Sequence, residues 1–100
     1  MFYIYILYSE SFDKYYIGYT DNTVKRLEEH NTLSHNTYTS KHRPWILKAT
    51  IEVGEIRALA MKIESKIKSL KSRKIIKDLI VHNGDTEYLT KLVRVPTCRD

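Results

Sequence analysis

Four side chains near the start of the sequence could do chemistry together: the phenols of Tyr5 and Tyr16, the guanidinium of Arg26 and the imidazole of His30. Phenols and imidazoles pass protons, and a guanidinium offers a planar fork of donors to an oxyanion. Arg26 and His30 are four residues apart, the spacing that sets two side chains on one face of a helix. Gathered at one end of a small sheet, such a group reads as an active site.

Two strands and a helix must carry these side chains. Phe2 to Tyr8 is apolar and aromatic, Ser9 to Lys14 is polar, and a second aromatic run, Tyr15-Tyr16-Ile17-Gly18, ends at Tyr19. This is the pattern of a hairpin. In the first strand Phe2, Ile4 and Ile6 share one face, and Tyr3, Tyr5 and Leu7 share the other. Both faces are apolar or aromatic, so the strand is expected to be central and covered on both sides. Gly18 shares a face with Tyr16, and a glycine there marks a bulge or the close approach of a ligand or another backbone. Asp21-Asn22-Thr23 supplies an N-cap for a helix from Thr23 to His30 that stops at Asn31, with Val24 and Leu27 on its inner side.

The polar stretch from Asn31 to Pro44 carries Tyr38, Lys41 and Arg43 as candidate phosphate contacts. Trp45 to Val53 is rich in apolar and β-branched residues and predicts a third strand, closed by Gly54. The period then changes. Ile56, Leu59, Ala60, Ile63, Ile67 and Leu70 form one stripe at helical spacing, with Glu64 on its border. Ser72 can cap a further helix with Ile75, Ile76, Leu79 and Ile80 inside, and Asn83-Gly84 is its stop. Asp85 to Val93 predicts a short helix with Tyr88, Leu89 and Leu92 packing inward, and Pro96 to Asp100 a frayed end. The expected fold is α/β (α+β), a three-stranded antiparallel sheet with the first strand central and helices flanking it. Residues 85–100 are expected to pack on the domain formed by residues 1–84.

Composition agrees with one ordered domain: 100 residues, 42% of them hydrophobic, without repeats or low-complexity segments. Phe2 to Tyr8 is too short to span a membrane and lacks the basic flank of a signal peptide. A lone cysteine, Cys98, allows no internal disulfide and points to the cytoplasm. The net charge is +5, but its distribution says more. Between Lys62 and Lys77 lie seven cations (Lys62, Lys66, Lys68, Lys71, Arg73, Lys74 and Lys77) and one anion, Glu64, a net +6 that leaves the remainder near neutral. Such a patch is the footprint of a phosphate-backbone binder, although charge alone fits a solvated helix face equally well.

Other chemistries lack their motifs. No dinucleotide or phosphate-loop glycine pattern, zinc spacing or serine-hydrolase elbow is present. Each singled-out residue also has a plainer reading. Strand tyrosines are usually core residues with a satisfied hydroxyl. Arg26 alone would be a solvated cation, and His30 would complement the helix dipole. Glu64 could simply pair with Lys68 one turn on.

Together the residues match a pattern. The chain resembles the GIY-YIG nuclease superfamily: Tyr3-Ile4-Tyr5 stands at the first triplet, with Tyr3 for the usual glycine, and Tyr16-Ile17-Gly18 is an intact second triplet. Arg26-Leu27-Glu28-Glu29-His30-Asn31 matches the family's arginine and histidine. The stretch from Tyr38-Thr39 to Arg43-Pro44-Trp45 is similar to the small stand-alone bacterial branch. Ala60 and Glu64, then Ile67-Lys68 to Leu79-Ile80, resemble its metal-binding helix and basic helix. The likeness runs from Phe2 to Val81. Some members, among them the incising subunit of excision repair, carry a lysine where this chain has Tyr19. The family's asparagine after the metal glutamate has its nearest counterpart in Asn83.

The resemblance implies phosphodiester hydrolysis with one divalent metal, Mg²⁺ or Mn²⁺. Glu64 is the single carboxylate offered, enough for an ion that keeps several waters. Arg26 would brace the phosphoryl oxygens. Tyr5 is implied as the base with His30 accepting its proton, and Tyr16 would position water or phosphate. The exchange of the two tyrosines and direct base catalysis by His30 remain open. Lys41, Arg43, Lys66, Lys68, Lys71, Arg73 and Lys74 are the candidate nucleic-acid contacts. Two functions follow. One is a structure-selective DNA endonuclease in repair or processing of branched DNA. The other is a catalytically weak nucleic-acid-binding module that acts with a partner protein. The filling of all five family positions favours the enzyme.

Overall fold

A strand whose two faces are both apolar needs cover on each side, and the sheet is built to give it. The structure is a computed structural model and describes residues 1–32, 41–83 and 85–93. Strand β1 (Phe2–Ser9) lies between β2 (Lys14–Thr20) and β3 (Ile46–Gly54), antiparallel to both, in the order β2-β1-β3. Helix α1 (Thr23–Thr32) joins the hairpin to the third strand's side of the chain; α2 (Arg57–Leu70), α3 (Arg73–Val81) and α4 (Thr86–Val93) follow β3. The expected central first strand and flanking helices are what the structure shows.

The pleat sorts the core into two layers. Ile4 and Ile6 join Ile17 and Ile51 under Ala60, Ile63 and Ile67 of α2, Leu79 of α3 and Leu89 of α4. Each buried isoleucine or leucine contributes about 1.5–3 kcal/mol relative to leaving it in water. On the opposite face Tyr5 and Leu7 pack with Trp45, edged by Tyr16, Leu27 and Leu47.

Local signals set the helix ends. Asn22 Oδ1 accepts the Lys25 N–H at 3.0 Å, Ser72 Oγ accepts that of Ile75 at 3.3 Å, and Asp85 Oδ1 that of Tyr88 at 2.9 Å. Between α2 and α3, Lys71 is left-handed at φ 48°. The hairpin is tied to the start of α3 through Asp13. Tyr8 donates its hydroxyl to Asp13 Oδ1 at 2.7 Å, and Arg73 donates to the Asp13 carbonyl at 3.1 Å and to its carboxylate. These two donors hold the Asp13 carboxyl below the usual carboxylate range. Two backbone groups on the outer side of β3 are engaged as well. Its Thr50 N–H donates to Asn83 Oδ1 at 2.9 Å, and its Glu52 carbonyl accepts the Thr86 hydroxyl at 2.7 Å.

Several expectations need correction. Val24 is 75% exposed, because only the later turns of α1 reach the sheet and His30 is that helix's buried residue. Asn31 does not end α1, which continues to Thr32. Its amide faces the start of β3 instead, donating to the Trp45 carbonyl at 3.1 Å and accepting the Trp45 N–H at 2.7 Å. Ile56 is not on the buried stripe but is the extended N-cap residue of α2 and is exposed. Tyr38, Gly84, the Leu92 side chain and Pro96 to Asp100, with Cys98, lie outside the described residues.

Candidate active site

The end of β2 and the flanks of α1 and α2 enclose a polar pocket of about 330 Å³. Tyr5, Tyr16, Arg26 and Glu64 all line it, and His30 stands directly behind Tyr5. Residues from two strands and two helices, up to 59 positions apart in sequence, therefore meet as the sequence expected.

Tyr5 is the hub. Its ring is 2% exposed and its Oη lies 2.8 Å from His30 Nε2. Arg26 donates its Nε–H to the same oxygen at 3.4 Å. Burial pushes the Tyr5 phenol up to about 12, and the Arg26 hydrogen bond offsets only part of that. The phenol is therefore neutral at physiological pH. In the His30 tautomer with its proton on Nδ1, the phenol donates to Nε2 while its oxygen accepts from Arg26.

What makes room for this ring is Gly18. Tyr5 and Gly18 are cross-strand partners, and a Cβ on Gly18 would lie 2.6 Å from Tyr5 Cζ. The close approach expected at this glycine is made by a side chain of the neighbouring strand, not by a ligand or backbone.

His30 is 3% exposed and does not line the pocket. Its ring lies 4.8 Å from that of Tyr16, and its carbonyl accepts the Arg43 Nε–H at 2.9 Å. Arg43 thus braces the end of α1. The Arg26 guanidinium is held from the other side by Glu29, with Nη1 to Oε1 at 3.1 Å, and its interactions with Tyr5 and then Glu29 raise its pKa further.

Glu64 reaches the pocket from α2. Its carboxylate is 19% exposed and pairs with Lys68 at 3.6 Å, a long contact that leaves its oxygens able to take another ligand. Lys68 in turn sits 5.4 Å over the Tyr16 ring. Among the described residues no group of three or more His, Cys, Asp and Glu side chains is arranged to hold a metal. Asp21 and Glu29 also line the pocket, with Glu29 held by Arg26, and Glu64, only loosely paired with Lys68, is the carboxylate that suits a hydrated Mg²⁺ or Mn²⁺, an ion that takes one or two carboxylates and completes its shell with water and substrate oxygens. Glu64 would hold it.

The basic residues divide. Lys68, Lys71 and Arg73 border a groove beside the pocket, with Arg73 already engaged by Asp13. Lys66 lies on the outer face of α2 with Met61 and Lys62, and Lys74 pairs with Asp78 at 3.3 Å; neither is brought to the pocket. Lys41 is exposed just before Trp45. Asn83 is engaged at the edge of β3.

Arg57 and Lys25 line the pocket and were not singled out by the sequence. Arg57 lies over the rings of Phe2 at 4.9 Å and Tyr19 at 5.9 Å. Its one available signal was its place two helical turns before Glu64, on the same face of α2.

Comparison with known proteins agrees with this geometry. The fold is similar to the solution NMR structure of the UPF0213 protein BH0048 from Bacillus halodurans, with a TM-score of 0.50 and 28% identity over 98% of this chain and 100% of that one. No curated protein matches the sequence. The family of the GIY-YIG catalytic domain matches residues 1–77, a span that takes in both strands of the hairpin, α1 and α2, and hence every residue gathered around Tyr5. The chain belongs to the GIY-YIG family.

Proposed function

We propose that this protein is a divalent-metal-dependent endonuclease that hydrolyses DNA phosphodiester bonds and selects branched or otherwise irregular DNA in repair or processing. Membership of a nuclease family gives the general activity. The observation that carries the finer reading is the convergence of Tyr5, Tyr16, Arg26 and Glu64 on one pocket with His30 bonded behind Tyr5. The lone cysteine favours a cytoplasmic setting.

In this reading the Arg26 fork takes the phosphoryl oxygens as charge builds on them. Tyr16 orients the attacking water. Tyr5 lines the pocket and His30 does not, so in this reading the proton passes through Tyr5: the phenol oxygen takes the water's proton as its own moves to His30 Nε2. A high phenol pKa suits such a relay, since free phenolate need not accumulate. Glu64 would hold a divalent ion, whose chemistry there would be Lewis-acid polarisation of the phosphate and stabilisation of the leaving oxygen.

The same raised Tyr5 pKa favours a second reading, a nucleic-acid-binding module with weak catalysis that works through a partner protein. One experiment separates them. Flap, branched and plain duplex DNA are incubated with the protein and Mg²⁺ or Mn²⁺. The enzyme reading expects nicking, reduced at least about hundredfold in Glu64→Gln and Arg26→Ala with DNA binding retained. Binding without cutting at any metal concentration would establish the module instead.

A further inference from the structure

We propose that the groove beside the pocket receives an unpaired nucleotide of the substrate strand, with the base on the groove's apolar floor and the adjoining phosphates on Lys14 and Lys71. The proposal rests on the nuclease reading for where the strand is cut, and names the feature of DNA that the site selects.

The groove has a volume of about 420 Å³, within the range of about 300–1,000 Å³ usual for small-molecule sites. Its floor is apolar, made by Ile17, Ile67 and Ile76, and Tyr15 and Tyr16 line its β2 side. Lys14 and Lys71 stand at its rim, both exposed, and no acidic residue lines it. The Arg73 charge is met by Asp13 while its guanidinium lies 4.9 Å over the Tyr15 ring, so Arg73 fixes that wall rather than adding free charge. An occupant should therefore pair a flat apolar body with an anionic edge, which describes a nucleotide.

Position supplies the second argument. Tyr16 lines both the groove and the pocket. Along β2 the groove spans Lys14 to Ile17 and the pocket Tyr16 to Thr20, a displacement of about 10 Å at roughly 3.3 Å per residue. A strand with its phosphate at Arg26 would lay a neighbouring nucleotide across the tyrosines. In a continuous duplex that base is stacked and paired, so the groove discriminates in favour of a base already free.

The test measures binding by the full-length protein in EDTA, so the readout does not depend on cutting. Two labelled DNAs are compared, a blunt duplex and the same duplex with a short single-stranded flap carrying 2-aminopurine at its first unpaired position. The flap should bind about tenfold tighter, and the 2-aminopurine emission should change on binding as the base leaves its neighbours for the groove. In Lys14→Gln/Lys71→Asn, where asparagine accepts the left-handed backbone at position 71, the preference should fall to within about twofold and the emission change should shrink. Equal wild-type affinity for the two DNAs, or a preference untouched by the double variant, would overturn the proposal. Loss of cleavage in Mg²⁺ with flap preference intact removes the nuclease reading and leaves the groove standing; equal binding of flap and duplex with normal cleavage does the reverse.

Discussion

Gly18 and Tyr5 face each other across the β1–β2 pair, and the Tyr5 ring occupies the space a side chain at position 18 would need. The hydrogen on Gly18 is what lets the phenol lie flat enough to meet both Arg26 and His30. Gly18→Ala forces the ring away. The overpacking should cost about 1–3 kcal/mol in urea unfolding, and cleavage should fall about hundredfold as the phenol leaves its hydrogen bonds. Wild-type stability and activity in this variant would show that the ring has another way to sit.

The Tyr5 phenol gives the molecule an alkaline signature. Its folded pKa, about 12, lies above the ordinary value of 10, so the unfolded chain loses this proton first as pH rises. The contribution is whole below pH 10 and is lost between about pH 10 and 12, at up to about 1.4 kcal/mol per pH unit. Urea melts across that window should decline in the wild type, and the Tyr5→Phe variant should decline less steeply. An ultraviolet phenolate titration should show fewer tyrosines ionising near pH 10 in the folded protein than in urea, and Tyr5→Phe should narrow that difference.

Asn31 clamps the end of α1 to the start of β3 by two hydrogen bonds to the Trp45 backbone. Asn31→Ala leaves the Trp45 N–H and carbonyl without those partners beside a buried indole, at a cost of about 1–3 kcal/mol. His30 is the adjacent residue, so the loss should also reach the site. Cleavage measured well below the melting point should drop about tenfold, and Asn31→Asp, which keeps the acceptor for the Trp45 N–H, should recover part of it.

Arg57 places a cation at the pocket mouth from α2, over the rings of Phe2 and Tyr19. Some family members resembled by the sequence have a lysine at the position of Tyr19, and here a positive charge reaches that neighbourhood from a different element. Arg57→Ala should lower kcat/KM for DNA about tenfold and make binding less salt-sensitive, with stability changed by less than about 1 kcal/mol. Unchanged salt dependence would place Arg57 outside the DNA path.

The sequence carried the frame and most of the site because both are written in short periods. Alternation on both faces of Phe2 to Ser9 required a central strand, and the four-residue step from Arg26 to His30 set two groups on one flank of α1. What stayed illegible depends on register and on distances across the fold. That Gly18 answers Tyr5 follows from the β1–β2 pairing, which no local pattern states. Arg43 reads from the sequence as a candidate phosphate contact, and its Nε–H also donates to the carbonyl of His30, a backbone atom without a sequence signal. Asn31 looked like a helix stop for the same reason: its amide serves a strand fourteen residues away. Val24 followed the helical period and still faces water, since α1 overhangs the sheet at its first turn.

The side chains of Asn83 and Thr86 that engage Thr50 and Glu52 have a consequence for the protein at high concentration. An open strand rim is a template on which a second molecule can extend the sheet. Here the chain's own later segments already answer one donor and one acceptor on that rim, which opposes strand addition at Thr50 and Glu52.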